Sequence, residues 1–130
     1  MPRISIWFLR AALVYLALGF TVGALLLWNK GLAIHPAIPR VLPAHMEFLL
    51  VGWTIQLVMG VALWIFPRFG ASTAAKRDGL GWTAFILLNG GVWIVVGGLP
   101  LVGRSVEVAA AAVFAAHVWT RVRASGLSPM

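Results

Sequence analysis

Four long apolar runs, separated by short breaks, constrain this chain more than any other feature. They cover residues 4–28, 42–66, 80–102 and 106–122, and the last is short and rich in alanine. At ~1.5 Å of rise per residue, a helix over each run can cross the ~30 Å hydrocarbon core of a bilayer. The breaks carry proline and glycine and are too short for a soluble domain. We therefore predict one all-α integral membrane domain over 1–130, a four-transmembrane-helix bundle.

The amino-acid composition also indicates that lipid surrounds most of the chain. Of the 130 residues, 62% are hydrophobic and 10% are charged, whereas a soluble domain is roughly half apolar and a quarter charged. The net charge of +7 comes from basic residues at the ends of the apolar runs, which favours lipid head groups and excludes nucleic acid as the expected partner. Cysteine is absent, so disulfides, thiolate metal sites and iron–sulfur clusters are excluded.

The distribution of basic residues predicts the orientation. Lys30, Arg40 and Arg104 fall on one side of the membrane in this arrangement. The other seven fall on the opposite side: Arg3, Arg10, Arg68, Lys76, Arg77, Arg121 and Arg123. The positive-inside rule then places both termini in the cytoplasm of a multi-pass protein in a bacterial-type inner membrane. The first run is long for a signal peptide and lacks a cleavage context, so we expect it to be retained as a helix.

Histidine in the second run is the leading functional candidate, because ionisable groups inside a membrane are costly and usually functional. His45 lies about one turn inside that run, and a stripe at helical spacing continues through Gly52, Gln56 and Gly60. Glycine allows close approach of a flat partner, which can be another helix or a porphyrin. An imidazole at the head of such a stripe is a candidate axial haem ligand. Ordinary helix packing is the alternative interpretation of the stripe.

The remaining ionisable residues have less specific patterns. Glu47 points to a different face from His45, where it can reach head-group water, orient a neighbouring ligand or carry a proton. His117 lies deep in the fourth run, at a depth that differs from that of His45 by roughly 15 Å. We therefore expect it not to share an iron with His45 in one subunit, and to lie at the cytoplasmic interface near Arg121. His35 is expected in a solvated outer loop, and Glu107 near the start of the fourth helix.

The stretch from Ala44 through His45, Gly52, Gln56 and Gly60 to Phe66-Pro67-Arg68 resembles the second transmembrane helix of the haem–copper oxidase catalytic subunit. The resemblance is greatest to the cbb3-type and nitric-oxide-reductase branches, and it covers about 25 residues. In that family the helix carries a low-spin haem histidine near its outer end and finishes in an apolar-Pro-Arg sequence. The resemblance implies that His45 is an axial ligand of haem b.

The chain also departs from that family. The family's copper-ligating histidines and its second low-spin haem ligand have no counterpart, so this chain is not expected to be an oxidase by itself. The family's twelve helices form three four-helix units, and its metal-ligating histidines fall on the second helix of each. By this likeness we expect one such unit that assembles as a symmetric homo-oligomer, with a trimer favoured. Haem b would lie between subunits, with propionates near Arg40, Lys30 and Arg104.

Under the haem interpretation, the chain would serve electron transfer or the binding of a diatomic gas such as O2 or NO. Two alternatives come from other classes. One is a small proton-coupled transporter that uses Glu47, although such proteins carry their glutamate at mid-membrane in the first helix. The other is a cofactor-free accessory subunit of a respiratory complex, in which the 7 Trp and 14 Gly serve lipid interfaces and helix packing.

Overall fold

The computed structural model describes residues 2–66 and 74–119, and over these ranges every regular element is helical. Helix α1 is the longest element and α4 and α5 form a hairpin, while the region between contains several shorter elements. In chain order the elements are α1 (Arg3–Leu32), a 3₁₀ turn (Ile38–Val41), α2 (Leu42–Glu47), a π-helical segment (Phe48–Ile55), α3 (Gln56–Ile65), α4 (Ala74–Val96) and α5 (Pro100–Trp119).

Four of these stretches are long and apolar enough to cross a membrane. They are Arg3–Leu32, Ile38–Ile65, Gly79–Val96 and Pro100–Trp119, with mean hydropathies from 1.4 to 2.1. The second of them, Ile38–Ile65, joins the 3₁₀ turn, α2, the π-helical segment and α3 into one rod, which we call the second span. The chain is therefore a helical, multi-pass membrane protein.

The turn between α4 and α5 lies earlier than the sequence predicts. Glycine at position 98 takes a φ of 98°, a left-handed conformation that side chains rarely adopt. Pro100 is then the first residue of α5, where its missing N–H costs no hydrogen bond. The third apolar run, 80–102, includes Pro100 near its end, whereas this proline starts the next helix. As a result, Arg104 lies inside α5 and not in a loop.

Glycine and small residues bring the helices close together. A Cβ atom on Gly103 of α5 would lie 2.8 Å from the carbonyl oxygen of Gly91 in α4, so these two backbones are in direct contact. Close backbone approach at small residues is the usual way in which membrane helices pack. The apolar centre of the bundle consists of Ile4, Phe8, Met59, Leu63, Leu88 and Ala110.

The π-helical segment changes the helical phase of the second span. Its eight residues include Thr54, whose hydroxyl donates to the carbonyl of Leu49, five residues earlier. A π turn adds a residue per turn, and such turns are frequent at functional sites. The segment begins directly after Glu47, so residues before and after it are rotated relative to an uninterrupted α-helix. This rotation sets which residues of the span face the bundle interior.

Candidate functional site

His45 is held against α1 by its ring. Its Nδ1 lies 2.8 Å from the carbonyl oxygen of Gly19, and the imidazole is half-buried. A carbonyl oxygen can only accept, so Nδ1 carries the proton of this hydrogen bond. A Cβ atom on Gly23 would lie 2.6 Å from Cε1 of His45, so the ring occupies space that only glycine leaves. In the tautomer that donates from Nδ1, the lone pair lies on Nε2, the ring nitrogen that can bind a metal.

The glycine stripe below His45 is filled from within the bundle. A Cβ atom on Gly52 would lie 2.5 Å from Cγ of Tyr15, and one on Gly60 would lie 2.9 Å from Cβ of Phe8. Both aromatic side chains belong to α1. The two glycines therefore serve helix packing in this subunit, and no open groove runs along them in the described part of the chain.

Gln56 is fully buried beside a hydrogen-bonded pair at mid-bundle. The hydroxyl of Tyr15 donates to Oδ1 of Asn89 at 3.0 Å, and Nε2 of Gln56 lies 3.5 Å from the same oxygen. Asn89 in turn donates to the carbonyl of Phe85 at 2.8 Å. The three polar side chains link α1, the second span and α4. Gln56, predicted to border the haem, thus faces the interior of the bundle.

A second cluster, which we call the charge cluster, consists of Glu47, Arg104 and Glu107. The guanidinium of Arg104 bridges both carboxylates: its Nη2 lies 2.6 Å from Oε2 of Glu47, and its Nη1 lies 2.9 Å from Oε2 of Glu107. The Glu47 side chain is fully buried, that of Glu107 is 9% exposed, and that of Arg104 is 54% exposed. Charge-assisted and bidentate contacts of this kind are strong and directional. The cluster therefore joins the second span to α5.

The predicted propionate partners have different surroundings. The guanidinium of Arg104 pairs with both Glu47 and Glu107. Arg40 is exposed in the 3₁₀ turn. Lys30 lines a pocket of about 370 Å³ together with Leu26 and Leu42. Leu42 is one turn from His45, and Leu26 is one turn from Gly23, so this pocket adjoins the imidazole along the same helix pair.

The other two histidines lie elsewhere. His117 is 2% exposed, and its Nε2 would lie 3.6 Å from a Cβ atom on Gly81, next to Ile4 at the start of α1. His117 thus lies at the level of the start of α1, and Arg121 lies outside the described residues. Since His45 contacts residues 19 and 23 of α1, the two imidazoles are at levels that differ by roughly 25 Å. His35 is exposed, and its Nδ1 accepts from the Ala37 N–H at 3.1 Å.

The sequence did not single out Tyr15, and it did not indicate that Arg104 pairs with Glu47 and Glu107. Tyr15 gave a signal, because it is the single tyrosine of the chain and lies in the middle of an apolar run. Arg104 was assigned to a break between helices, and the early start of α5 removes that assignment. Within the described ranges, no group of three or more His, Cys, Asp or Glu side chains forms a metal site.

No protein-family model, curated protein or solved structure matches this chain.

Proposed function

We propose that this protein binds haem b through Nε2 of His45, with the haem placed between copies of the chain in a symmetric oligomer. The observation that carries the proposal is the hydrogen bond of 2.8 Å between Nδ1 of His45 and the Gly19 carbonyl. Ligating histidines almost always donate their second ring nitrogen in this way, which fixes the tautomer and the ring orientation.

The surroundings of His45 also fit a porphyrin. Gly23 leaves no side chain over the edge of the ring, and the adjoining pocket combines apolar side chains with Lys30. A haem is a large apolar disc with two anionic propionates, so it needs an apolar contact surface and a cation near one edge. Lys30 and the exposed Arg40 are the residues that would contact propionates. Gly52 and Gln56, which face the bundle interior, have no part in this proposal.

A single subunit provides one histidine at this depth. The separation from His117 leaves the second axial position to another copy of the chain or to an exogenous ligand. A closed oligomer brings equivalent residues together around its axis without extra sequence, and we favour a trimer on the likeness to three four-helix units. Bound haem would supply one-electron chemistry, or binding of O2 or NO where an axial position stays open. The chain's own contribution is to fix the imidazole, exclude water and place cations at the edge.

The charge cluster bears on the transporter alternative. A proton-coupled carrier needs a glutamate that exchanges partners, whereas both carboxylate oxygens of Glu47 contact the Arg104 guanidinium, at 2.6 and 3.2 Å. In this proposal Glu47 therefore anchors the second span and has no transport role. Transport assays in reconstituted vesicles with an imposed pH gradient test this assignment. Proton-coupled drug efflux that disappears in Glu47→Gln would support the transporter alternative and would contradict an anchoring role for Glu47.

The experiment is an optical spectrum of the protein purified in detergent after expression with haem available. We expect a Soret band in the wild type and its loss in His45→Ala, with the helical circular dichroism signal retained. The matched control is His35→Ala, which removes an exposed loop histidine and should leave the band unchanged. Carbon monoxide added to the reduced protein reports whether an axial position is open. Absence of a Soret band in the wild type, or a band unaffected by His45→Ala, would overturn the proposal.

A second pair of variants tests the orientation of the ring. In Gly23→Ala the added methyl group would lie 2.6 Å from Cε1 of His45 and must displace the imidazole, whereas nothing lies within 4 Å of the same atom in Gly31→Ala. Both changes add one methyl group to α1. We expect Gly23→Ala to weaken haem binding by about tenfold, the lower end of the effects seen when ligand-orienting contacts are lost. Equal haem affinity in the two variants would contradict the role of the α1 contact.

A further inference from the structure

A cleft of about 320 Å³ lies between α1 and α4, on another side of α1 from His45. Along α1 its lining runs from Trp7 through Val14 to Leu18, and Phe85 and Trp93 line it from α4. The eleven-residue step from Trp7 to Leu18 corresponds to about 16 Å of helix. This length is close to the ~15 Å thickness of one leaflet of the hydrocarbon core, so the cleft has the length of a lipid acyl chain.

The polar side chains on the floor of the cleft form hydrogen bonds within the protein and do not require a polar ligand. Tyr15 and Asn89 both line it, but the tyrosine hydroxyl donates to Asn89 and the asparagine amide donates to the Phe85 carbonyl. These groups satisfy each other, which is what a wall in contact with hydrocarbon requires. Two aromatic residues of the lining also pack on one another, with the ring centroids of Tyr15 and Trp93 6.4 Å apart. The cleft is thus a preformed apolar slot.

One cation lies toward the end of the slot nearest the start of α1. Arg10 lines the cleft and is exposed. No ion pair involves it among the described residues. The chain has only 3 acidic residues, and two of them, Glu47 and Glu107, are paired with Arg104. A counter-ion for Arg10 must then come mainly from the surroundings. Trp7, one turn nearer the helix start, is a residue type enriched at the membrane–water interface, which is where lipid phosphates lie.

We propose that the α1–α4 cleft is a binding site for one anionic phospholipid, with an acyl chain in the slot and the head-group charge at Arg10. Arginine binds phosphate through paired N–H donors, and its long stem reaches the interface from a position inside the span. The apolar slot contributes affinity for any phospholipid, and Arg10 contributes the preference for a negative head group. The site is separate from the haem proposal, because the cleft-lining positions lie roughly 120° around α1 from Gly19 and Gly23.

The test is a titration of delipidated protein in detergent with phosphatidylglycerol or phosphatidylcholine of identical acyl chains, with the one-lipid complex counted by native mass spectrometry. We expect the wild type to bind the first phosphatidylglycerol about fivefold more tightly, the ratio that corresponds to ~1 kcal/mol for one basic residue near the surface. Arg10→Gln should abolish this preference and Arg10→Lys should retain most of it. The charge-matched control Arg3→Gln removes an exposed arginine from the same end of α1 and should retain the preference.

The slot is tested by two tryptophan substitutions at neighbouring exposed positions. Val14, 59% exposed, lines the cleft, whereas Leu13, 56% exposed, does not. Val14→Trp should weaken the binding of both lipids by filling the slot, and Leu13→Trp should leave both unchanged. Equal affinities of the wild type for the two lipids, equal effects of Arg10→Gln and Arg3→Gln, or equal effects of the two tryptophans would each overturn the proposal. Thermal melting of every variant in the same detergent verifies that the bundle is folded.

Discussion

The charge cluster allows a quantitative prediction for Arg104→Gln. With both carboxylates ionised, Glu47, Arg104 and Glu107 sum to one negative charge, and removal of the guanidinium leaves two negative charges on side chains that are 0% and 9% exposed. Breaking a buried pair by removal of one partner costs ~3–5 kcal/mol. The Arg104 side chain is 54% exposed, so part of its attraction is screened. We therefore expect Arg104→Gln to lower the free energy of unfolding by about 2–3 kcal/mol.

The same charge count predicts that substitutions of Glu47 and of Arg104 lower the stability by different amounts. Glu47→Gln leaves Arg104 paired with Glu107 in a neutral cluster, so it should cost less than Arg104→Gln. In the double variant the stranded Glu47 charge is gone, and the coupling between the two positions should be about 1–2 kcal/mol, within the range found for residues in contact. The stabilities of the two single variants and the double variant are measured by reversible unfolding in mixed detergent micelles, monitored by circular dichroism. Arg40→Gln, an exposed arginine outside the cluster, is the control and should change stability by less than ~0.5 kcal/mol.

Equal effects of Arg104→Gln and Arg40→Gln on stability would show that the charge cluster does not stabilise the bundle. If Glu47→Gln costs as much as Arg104→Gln and the double variant shows no coupling, the two side chains act independently and the predicted asymmetry is wrong.

Two further predictions follow from the packing of Tyr15, each measured by the same unfolding assay. Tyr15→Phe removes the hydroxyl that donates to Asn89 at 3.0 Å and should cost ~0.6–1.5 kcal/mol, in the range for hydrogen bonds between membrane helices; an unchanged stability would mean that this bond contributes nothing. Gly52→Ala would place a methyl group 2.5 Å from Cγ of Tyr15 and should cost about 1–3 kcal/mol, whereas Gly90→Ala has nothing within 4 Å and should be neutral or stabilising; equal costs would contradict the tight packing at Gly52.

The sequence predicts the helical spans well because hydropathy reports directly on contact with lipid. Four apolar runs correspond to four helices long enough to cross a membrane. Helix limits at glycine and proline were harder to predict, because the same residue type can end one helix or start the next. Pro100 illustrates this: it starts α5, and Arg104 is thereby moved from a predicted loop into a helix.

The rotation of each helix about its axis was beyond the reach of the sequence pattern. A stripe through His45, Gly52 and Gln56 assumes 3.6 residues per turn throughout, and the π-helical segment Phe48–Ile55 breaks that period. The sequence pattern also does not reveal which polar side chains pair, since Glu47 and Arg104 are 57 residues apart in the chain. Long-range pairing depends on how the spans pack, and no local pattern records it. The sequence identified His45 as a candidate ligand, but its contact with Gly19 is seen only in the packed structure.

His45 and Glu47 attach the second span to two different neighbouring helices, and together these contacts orient the imidazole. The imidazole contacts α1 through Gly19, and Glu47, two positions later, contacts α5 through Arg104. Positions two residues apart in a helix differ by roughly 200° around its axis, so these contacts hold opposite sides of the span. A rotation that broke one contact would also strain the other, which leaves the imidazole little rotational freedom before any ligand binds. A ligand that meets a preoriented side chain avoids the entropy cost of ordering it, so the charge cluster contributes to the proposed haem site without touching it.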